Sequence, residues 1–160
     1  MGLYDREYYQ DEYGSPREGM GGGNRMMVTN IVILTAALFV VNMFTPDNWL
    51  MKKMAATPDV LKQPWLWWKF LTYGFAHDPM AISHVFWNMF GLWIFGRDVE
   101  GVYGPKEFLR IYLVALVLGS VVWAVRATFL REPNITYLLW GASGAVTTII
   151  LLFVFHFPRR

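Results

Sequence analysis

Residues 141–157, GASGAVTTIILLFVFHF, form an apolar run that opens with a motif of small residues, and this run decides the kind of fold. It contains no acidic residue and no Lys or Arg. About 17 residues make a helix of roughly 25 Å, which is shorter than the ~30 Å hydrocarbon core of a bilayer. The run therefore predicts a short membrane-spanning helix whose first polar residue, Ser143, lies below the membrane surface.

Three more apolar runs precede this one, and they extend the prediction to the whole chain. They are MMVTNIVILTAALFVVNMF at 26–44, MAISHVFWNMFGLWIFG at 80–96, and 108–130. The chain is 55% hydrophobic and 16% charged, whereas soluble domains carry about 25% charged residues. We expect an all-α fold, a polytopic membrane helical bundle with four transmembrane helices. The 97–107 stretch, RDVEGVYGPKE, is predicted to be a charged turn between the second and third spans.

The composition also limits the partners and cofactors of this chain. A net charge of +2 gives no argument for a nucleic-acid partner. The absence of cysteine excludes disulfides and thiolate metal sites, and the three histidines show no metal-binding spacing, so we expect neither a metal nor an organic cofactor. Residues 1–25 are polar and rich in Gly and Tyr, and we interpret them as a flexible tail before a membrane domain at 26–160.

The segment 48–79 combines tryptophans with lysines, a composition typical of the membrane interface. We predict that it lies on or dips into the bilayer surface. Under a cytoplasmic N-terminus, eight basic residues fall inside and six outside. The distribution of Lys and Arg therefore favours a multi-pass membrane protein with its N-terminus in the cytoplasm.

Three of the polar residues in the predicted spans, Ser143, His84 and Asn88, are functional candidates, because burying such residues in lipid is costly. Ser143 lies between Gly141 and Gly144, while His84 and Asn88 are four residues apart and share one helix face. Each also has a purely structural interpretation. The glycines and serine can bring two helices close together, and the other two side chains can hydrogen-bond between helices.

The combination of the three points to acyl transfer. A serine at a helix start has free backbone N–H groups nearby. A histidine and an asparagine on a second helix supply two further donors. Together these groups are what an oxyanion hole requires.

The segments WWKFLTYGFAH, SHVFWNMFGLWIFGRDVEGVYGPKEFLRIY and GASGAV resemble the rhomboid intramembrane serine proteases over roughly 64–160. The H-x-x-x-N motif of the family matches His84 and Asn88, and its G-x-S-G motif matches residues 141–144. A glutamate at the far end of the second span matches Glu100, and an additional loop histidine matches His77, although two extra residues separate His77 from His84. The Trp-Arg pair of the family is here Trp68-Lys69.

The resemblance implies a fold of six or more spans and a role for each of these residues. Ser143 is the expected nucleophile on transmembrane protein substrates in the lipid bilayer, and His84 and Asn88 stabilise the oxyanion. Gly141 and Gly144 permit close packing around the nucleophile. His77 supports the site, whereas Glu100 and Lys69 hold structure.

The four predicted spans do not include a general base for Ser143, because rhomboids supply this base from a histidine on the sixth span. His156 lies 13 residues beyond Ser143 on the same predicted helix, about 20 Å along its axis, and a base must approach within ~3 Å. His77 is the local alternative. We therefore expect the 160 residues to be the N-terminal part of a longer protease and to be inactive alone.

Two other functions remain open, and the sequence leaves the oligomeric state open as well. A non-cleaving rhomboid-like pseudoprotease would bind transmembrane helices without cutting them. An unrelated four-span transporter or scaffold would not need Ser143, His84 and Asn88 to converge.

Overall fold

The computed structural model describes residues 27–130 and 137–158, and the regular elements within these ranges are helices. The four long ones are α1 (Met27–Met43), α2 (Ile82–Tyr103), α3 (Pro105–Phe129) and α4 (Ser143–His156). The loop between α1 and α2 contains two short helices, Trp49–Met54 and Lys69–Thr72. It also contains four 3₁₀ turns: Pro46–Asn48, Pro58–Lys62, Pro64–Leu66 and Tyr73–Phe75. The all-α prediction is confirmed, and the predicted tail lies outside the described residues.

The prediction of a charged turn at 97–107 is wrong, because α2 continues through it to Tyr103. Arg97, Asp98 and Glu100 are compatible with a helix, and a single glycine is enough to end it. Gly104 has a φ of 80° and donates its N–H to the carbonyl of Glu100, and Pro105 then occupies the first turn of α3. Glycine after a helix and proline at the start of the next are the residues that these positions favour.

Side-chain contacts fix the relative directions of three helices. Glu100, near the end of α2, accepts hydrogen bonds from the first residues of α1, so these two helices are antiparallel. Tyr103, also near the end of α2, contacts His156 at the end of α4, so these two helices run in the same direction. The end of α1 and the beginnings of α2 and α4 therefore meet at one end of the bundle, which we call the site end.

The core lies where α4 packs between α2 and α3, and apolar side chains also cover much of the outside. The largest fully buried apolar side chains include Phe108, Tyr112, Leu116, Leu92 and Ile149. On α3, Val114, Leu118 and Val122 are 48%, 60% and 68% exposed and share one face. A helix on the surface of a soluble protein would present polar residues there, so the outer face of α3 suits lipid.

Among the described residues, α3 is the helix that is both long enough and apolar enough to cross a membrane. Helices α1 and α4 are apolar but have 17 and 14 residues. Helix α2 has 22 residues and carries the charged residues of its last turns. Four spans therefore remain a prediction.

Candidate functional site

Ser143 is the first residue of α4, at the site end, and its side chain is exposed. The first hydrogen bond of the helix runs from the N–H of Val146 to the carbonyl of Ala142. The N–H groups of Ser143 and Gly144 therefore have no acceptor within the helix. An exposed hydroxyl therefore lies beside two N–H groups that the helix does not use.

Gly141 brings the backbone that precedes Ser143 against His84. Gly141 has a φ of 101°, a backbone conformation that residues with a side chain rarely adopt. A Cβ atom at this position would also lie 2.8 Å from Cε1 of His84. Its N–H donates to the carbonyl of Tyr73 at 2.9 Å. Both the backbone conformation and the close approach of the His84 ring require glycine at this position.

His77 joins Asn88 to the same backbone. Its side chain is 1% exposed, and its Nε2 lies 3.2 Å from Nδ2 of Asn88 and 3.5 Å from the backbone nitrogen of Ala142. The His84 ring packs edge-on against the His77 ring, with centroids 5.5 Å apart. The site is therefore a continuous set of contacts from His84 through His77 to Asn88, closed by residues 141–142.

The two contacts of Nε2 define the protonation of His77. A backbone N–H can only donate, so Nε2 must accept and the ring proton must sit on Nδ1. This Nδ1 is buried and makes no hydrogen bond of good geometry among the described residues, although the Phe75 backbone interacts with the ring more weakly. Burial, and then the nearby His84, lower the pKa of His77 from 6.5 to about 4, against a smaller opposing effect of the Phe75 backbone. His77 is therefore neutral at pH 7.

Comparison with known proteins identifies the family. The Rhomboid domain family matches residues 64–160, which include every residue of the set just described. The chain belongs to the rhomboid family. As rhomboid domains are embedded in the bilayer, this is an integral membrane protein.

Three relatives illustrate the range of the similarity. RHOMBOID-like protein 12, mitochondrial, of Arabidopsis thaliana is 32% identical over 151 residues, which are 87% of this rhomboid and 44% of the relative. Rhomboid protease GluP of Bacillus subtilis (strain 168) is 40% identical over 80 residues, 50% of this chain and 14% of the relative. Presenilin-associated rhomboid-like protein, mitochondrial, of Homo sapiens is 32% identical over 78 residues, 48% of this chain and 19% of the relative. The rhomboid chain thus spans less than half the length of these relatives.

Not every predicted site residue of this rhomboid lies at the site end. Glu100 is 1% exposed, and its carboxyl group accepts from the N–H groups of Met27 and Val28 at 3.0 and 3.1 Å. This contact places it at the opposite end of α2, where it holds the start of α1. His156 is also at that opposite end, within 3.4 Å of the hydroxyl of Tyr103.

Gly144 differs from the expectation of close packing. A Cβ atom there would meet nothing within 4 Å among the described residues. Gly144 and Thr148 instead line an apolar groove of about 530 Å³ between α3 and α4. Within the part of the rhomboid that the structure describes, Gly141 is the glycine of the motif that makes a close contact.

Sequence reasoning missed two residues that hold the site in this rhomboid. Asn42 is buried at the end of α1, where its Nδ2 donates to the carbonyl of His77 at 3.4 Å and its Oδ1 accepts from the N–H of Met51 at 3.0 Å. Tyr73 donates its hydroxyl to the carbonyl of Leu116 on α3 at 2.9 Å. Asn42 is a polar residue inside a predicted span, so the argument that singled out Asn88 applies to it too. Tyr73 stands in a loop, where its sequence gives no comparable signal.

Proposed function

We propose that this chain is part of an intramembrane serine endopeptidase that cleaves transmembrane protein substrates, with Ser143 as the nucleophile. One observation carries the proposal. The exposed serine begins a helix where the His84 ring packs against Gly141 and where His77 links Asn88 to the backbone nitrogen of Ala142. A purely structural G-x-S-G contact would not need two buried or half-buried polar side chains from another helix at the same point.

The residues at the site end suit the steps of acyl transfer. The Ser143 hydroxyl attacks the scissile carbonyl carbon and loses its proton to a base, which leaves a negative oxygen on the tetrahedral intermediate. The Ser143 N–H, the His84 ring and Asn88 stabilise that oxygen. Asn88 has two N–H bonds on Nδ2, and as His77 accepts one of them, the second is available to the oxyanion. The intermediate collapses when the base returns the proton to the leaving amine, and water then hydrolyses the ester.

The base in this proposal lies outside the three histidines of the chain. Nε2 of His77 already accepts from two N–H groups, and its Nδ1 is buried. His156 lies at the opposite end of the bundle, and His84 is needed as an oxyanion donor. We therefore expect a histidine from a further part of the whole protein, and no metal or cofactor is needed for the reaction.

We also propose that all four long helices cross the bilayer, with the N-terminus in the cytoplasm. Helices α1 and α4 would extend about 26 and 21 Å at ~1.5 Å per residue, less than the ~30 Å of the hydrocarbon core. Short helices place their ends within the membrane. This supports a serine that meets its substrate below the bilayer surface, where lateral entry is open to a transmembrane segment.

The direct test is cleavage of a fluorescent transmembrane substrate by the whole protein in proteoliposomes, with and without Ser143→Ala. We expect the variant to lose cleavage by at least about three orders of magnitude while its insertion and unfolding are unchanged. Ser83→Ala is the matched control, because Ser83 is exposed in the first turn of α2. We expect this variant to cleave the substrate at the wild-type rate. Cleavage at the wild-type rate by Ser143→Ala would reject the assignment.

The second candidate is a rhomboid-like protein that binds transmembrane helices without cutting them. The observation in its favour is that none of the three histidines stands ready to deprotonate Ser143. The same assay separates the two functions. A whole protein that retains substrate in the membrane but never cleaves it would establish the binding function.

A further inference from the structure

The loop between α1 and α2 carries lysines and tryptophans on one exposed surface. Two short helices form this surface, Trp49–Met54 and Lys69–Thr72, and the hydroxyl of Thr72 donates to the carbonyl of Met54 at 3.1 Å. This hydrogen bond fixes the two helices to each other. We call Trp49, Lys52, Lys53, Trp68 and Lys69 the basic aromatic patch.

The lysines of the patch stand close together. Partial burial, and then the positive charge of Lys53, lower the pKa of Lys69, in line with the hydrogen bond that holds the two short helices together. Lys52 and Lys53 are exposed.

The loop between α1 and α2 holds three acidic residues, Asp47, Asp59 and Asp78, which balance this charge in part. Asp59 shares the 3₁₀ turn Pro58–Lys62 with Lys62. Asp47 lines a groove of about 460 Å³ together with Trp49, Lys52 and Lys53. Asp78 lies elsewhere, where its carboxylate accepts from the N–H of Met80 at 2.9 Å. Three lysines against Asp47 leave the patch and its groove with a net charge of +2.

The exposed tryptophans indicate the environment in which the patch lies. Trp49 and Trp68 are 56% and 45% exposed, and the Lys69 ammonium lies 5.7 Å from the Trp68 ring centroid. Trp65 and Trp67 extend the same exposed aromatic loop. Exposed indoles beside ammonium groups fit the headgroup level of a bilayer, where the ring meets the acyl boundary and the charge meets phosphate.

We propose that the basic aromatic patch binds the phosphate of anionic phospholipid headgroups and so selects anionic lipid beside the site end of the protein. A phosphodiester bound between Lys53 and Lys69 would offset the repulsion between their ammonium groups. The phosphate of a zwitterionic lipid is accompanied by a cationic group, so the favourable binding free energy at the patch is smaller for these lipids. This proposal does not depend on protease activity.

The test uses the protein in nanodiscs of phosphatidylcholine that contain brominated phosphatidylglycerol or, separately, brominated phosphatidylcholine, and it measures quenching of tryptophan fluorescence. We expect stronger quenching by the anionic lipid at the same mole fraction, weakened by added salt. In Lys53→Gln/Lys69→Gln the apparent affinity for phosphatidylglycerol should fall roughly fivefold for each lysine. Trp49→Phe/Trp68→Phe should remove the lysine-dependent part of the quenching.

Two control variants make the result specific. Lys106→Gln/Arg110→Gln removes the same charge from the exposed start of α3 and should leave the preference unchanged, and Lys53→Arg/Lys69→Arg should retain it. Equal quenching by the two lipids in the wild type would overturn the proposal, as would a preference that survives in Lys53→Gln/Lys69→Gln. Lysine-dependent binding of an acidic peptide without any lipid preference would assign the patch to a protein segment and also reject the proposal.

Discussion

At the scale of single residues, His77 connects more of the site than any side chain that the motifs alone would single out. Its Nε2 holds Asn88 and the N–H of Ala142, and its carbonyl is held by Asn42. The orientation of the Asn88 amide, which the proposed reaction uses, therefore depends on a neutral ring. The spacing between His77 and His84 departs from the family, yet the structure brings the two rings into contact.

The lowered pKa of His77 predicts how stability depends on pH. The unfolded chain binds a proton on this residue near its ordinary pKa of 6.5, whereas the folded chain does so only near 4. The stabilisation is complete above pH 6.5 and is lost as the pH falls to about 4, at ~1.4 kcal/mol per unit and about 3 kcal/mol in total. Unfolding in mixed micelles at pH 7.5, 5.5 and 4.5 measures this loss.

The matched variant for this prediction is His77→Phe, which fills the space without a titrating group. We expect it to be less stable at pH 7.5, because two buried N–H groups lose their acceptor at about 1–3 kcal/mol each. Its dependence on pH should also be flatter. If wild type and variant lose stability in parallel between pH 7.5 and 4.5, His77 is not the group responsible.

Gly141 and Gly144 give a second prediction at this scale. Gly141→Ala places a Cβ atom 2.8 Å from the His84 ring at a positive φ, and the backbone conformation alone costs about 1–2 kcal/mol. We expect that loss of stability together with a displaced His84 and weaker cleavage by the whole protein. Gly144→Ala meets no described neighbour and should change the stability of this chain by less than about 0.5 kcal/mol. Equal losses in the two variants would show that the contact with His84 does not matter.

At the scale of elements, α2 is the helix that joins the two ends of the molecule. Its first turns carry His84 and Asn88, and its last turns carry Glu100, which accepts the first N–H groups of α1. The sequence allowed a correct prediction of the helical character and most of the length of α1, α3 and α4. The predicted end of α2 was wrong, because charged residues by themselves do not end a helix. The helix ends instead at Gly104, and Pro105 begins the next one.

The link between α2 and α1 is tested by Glu100→Gln. The amide has one acceptor oxygen in place of two and presents an N–H group to the donors of Met27 and Val28. We expect a loss of about 1–3 kcal/mol in stability and faster hydrogen exchange in the first turn of α1. Glu107→Gln is the control, because that side chain forms an exposed salt bridge with Arg110 that contributes at most about 1 kcal/mol. Equal effects of the two changes would contradict the role of Glu100.

At the scale of the whole molecule, the site forms because three chain segments distant in sequence meet at one end of the bundle. His84, Asn88 and Ser143 could be picked out from the sequence because each is a polar residue in an apolar run. The same argument applies to Asn42, although the sequence does not predict its partner. The contributions of Tyr73 and the His77 ring nitrogens could not be predicted, because they depend on how the loop between α1 and α2 folds back onto α3 and residues 141–142. A pattern along the chain does not contain such contacts.

The most direct test of the central claim is to find which residue of the whole protein becomes covalently attached to a fluorophosphonate, a reagent that traps activated serine hydroxyls. After labelling in proteoliposomes, peptide mass spectrometry locates the adduct. We predict a single adduct on Ser143, reduced in His84→Ala and Asn88→Ala because the phosphonate oxygen then loses donors. An adduct on another serine, or cleavage of substrate by a protein whose Ser143 stays unlabelled at saturating reagent, would contradict the account.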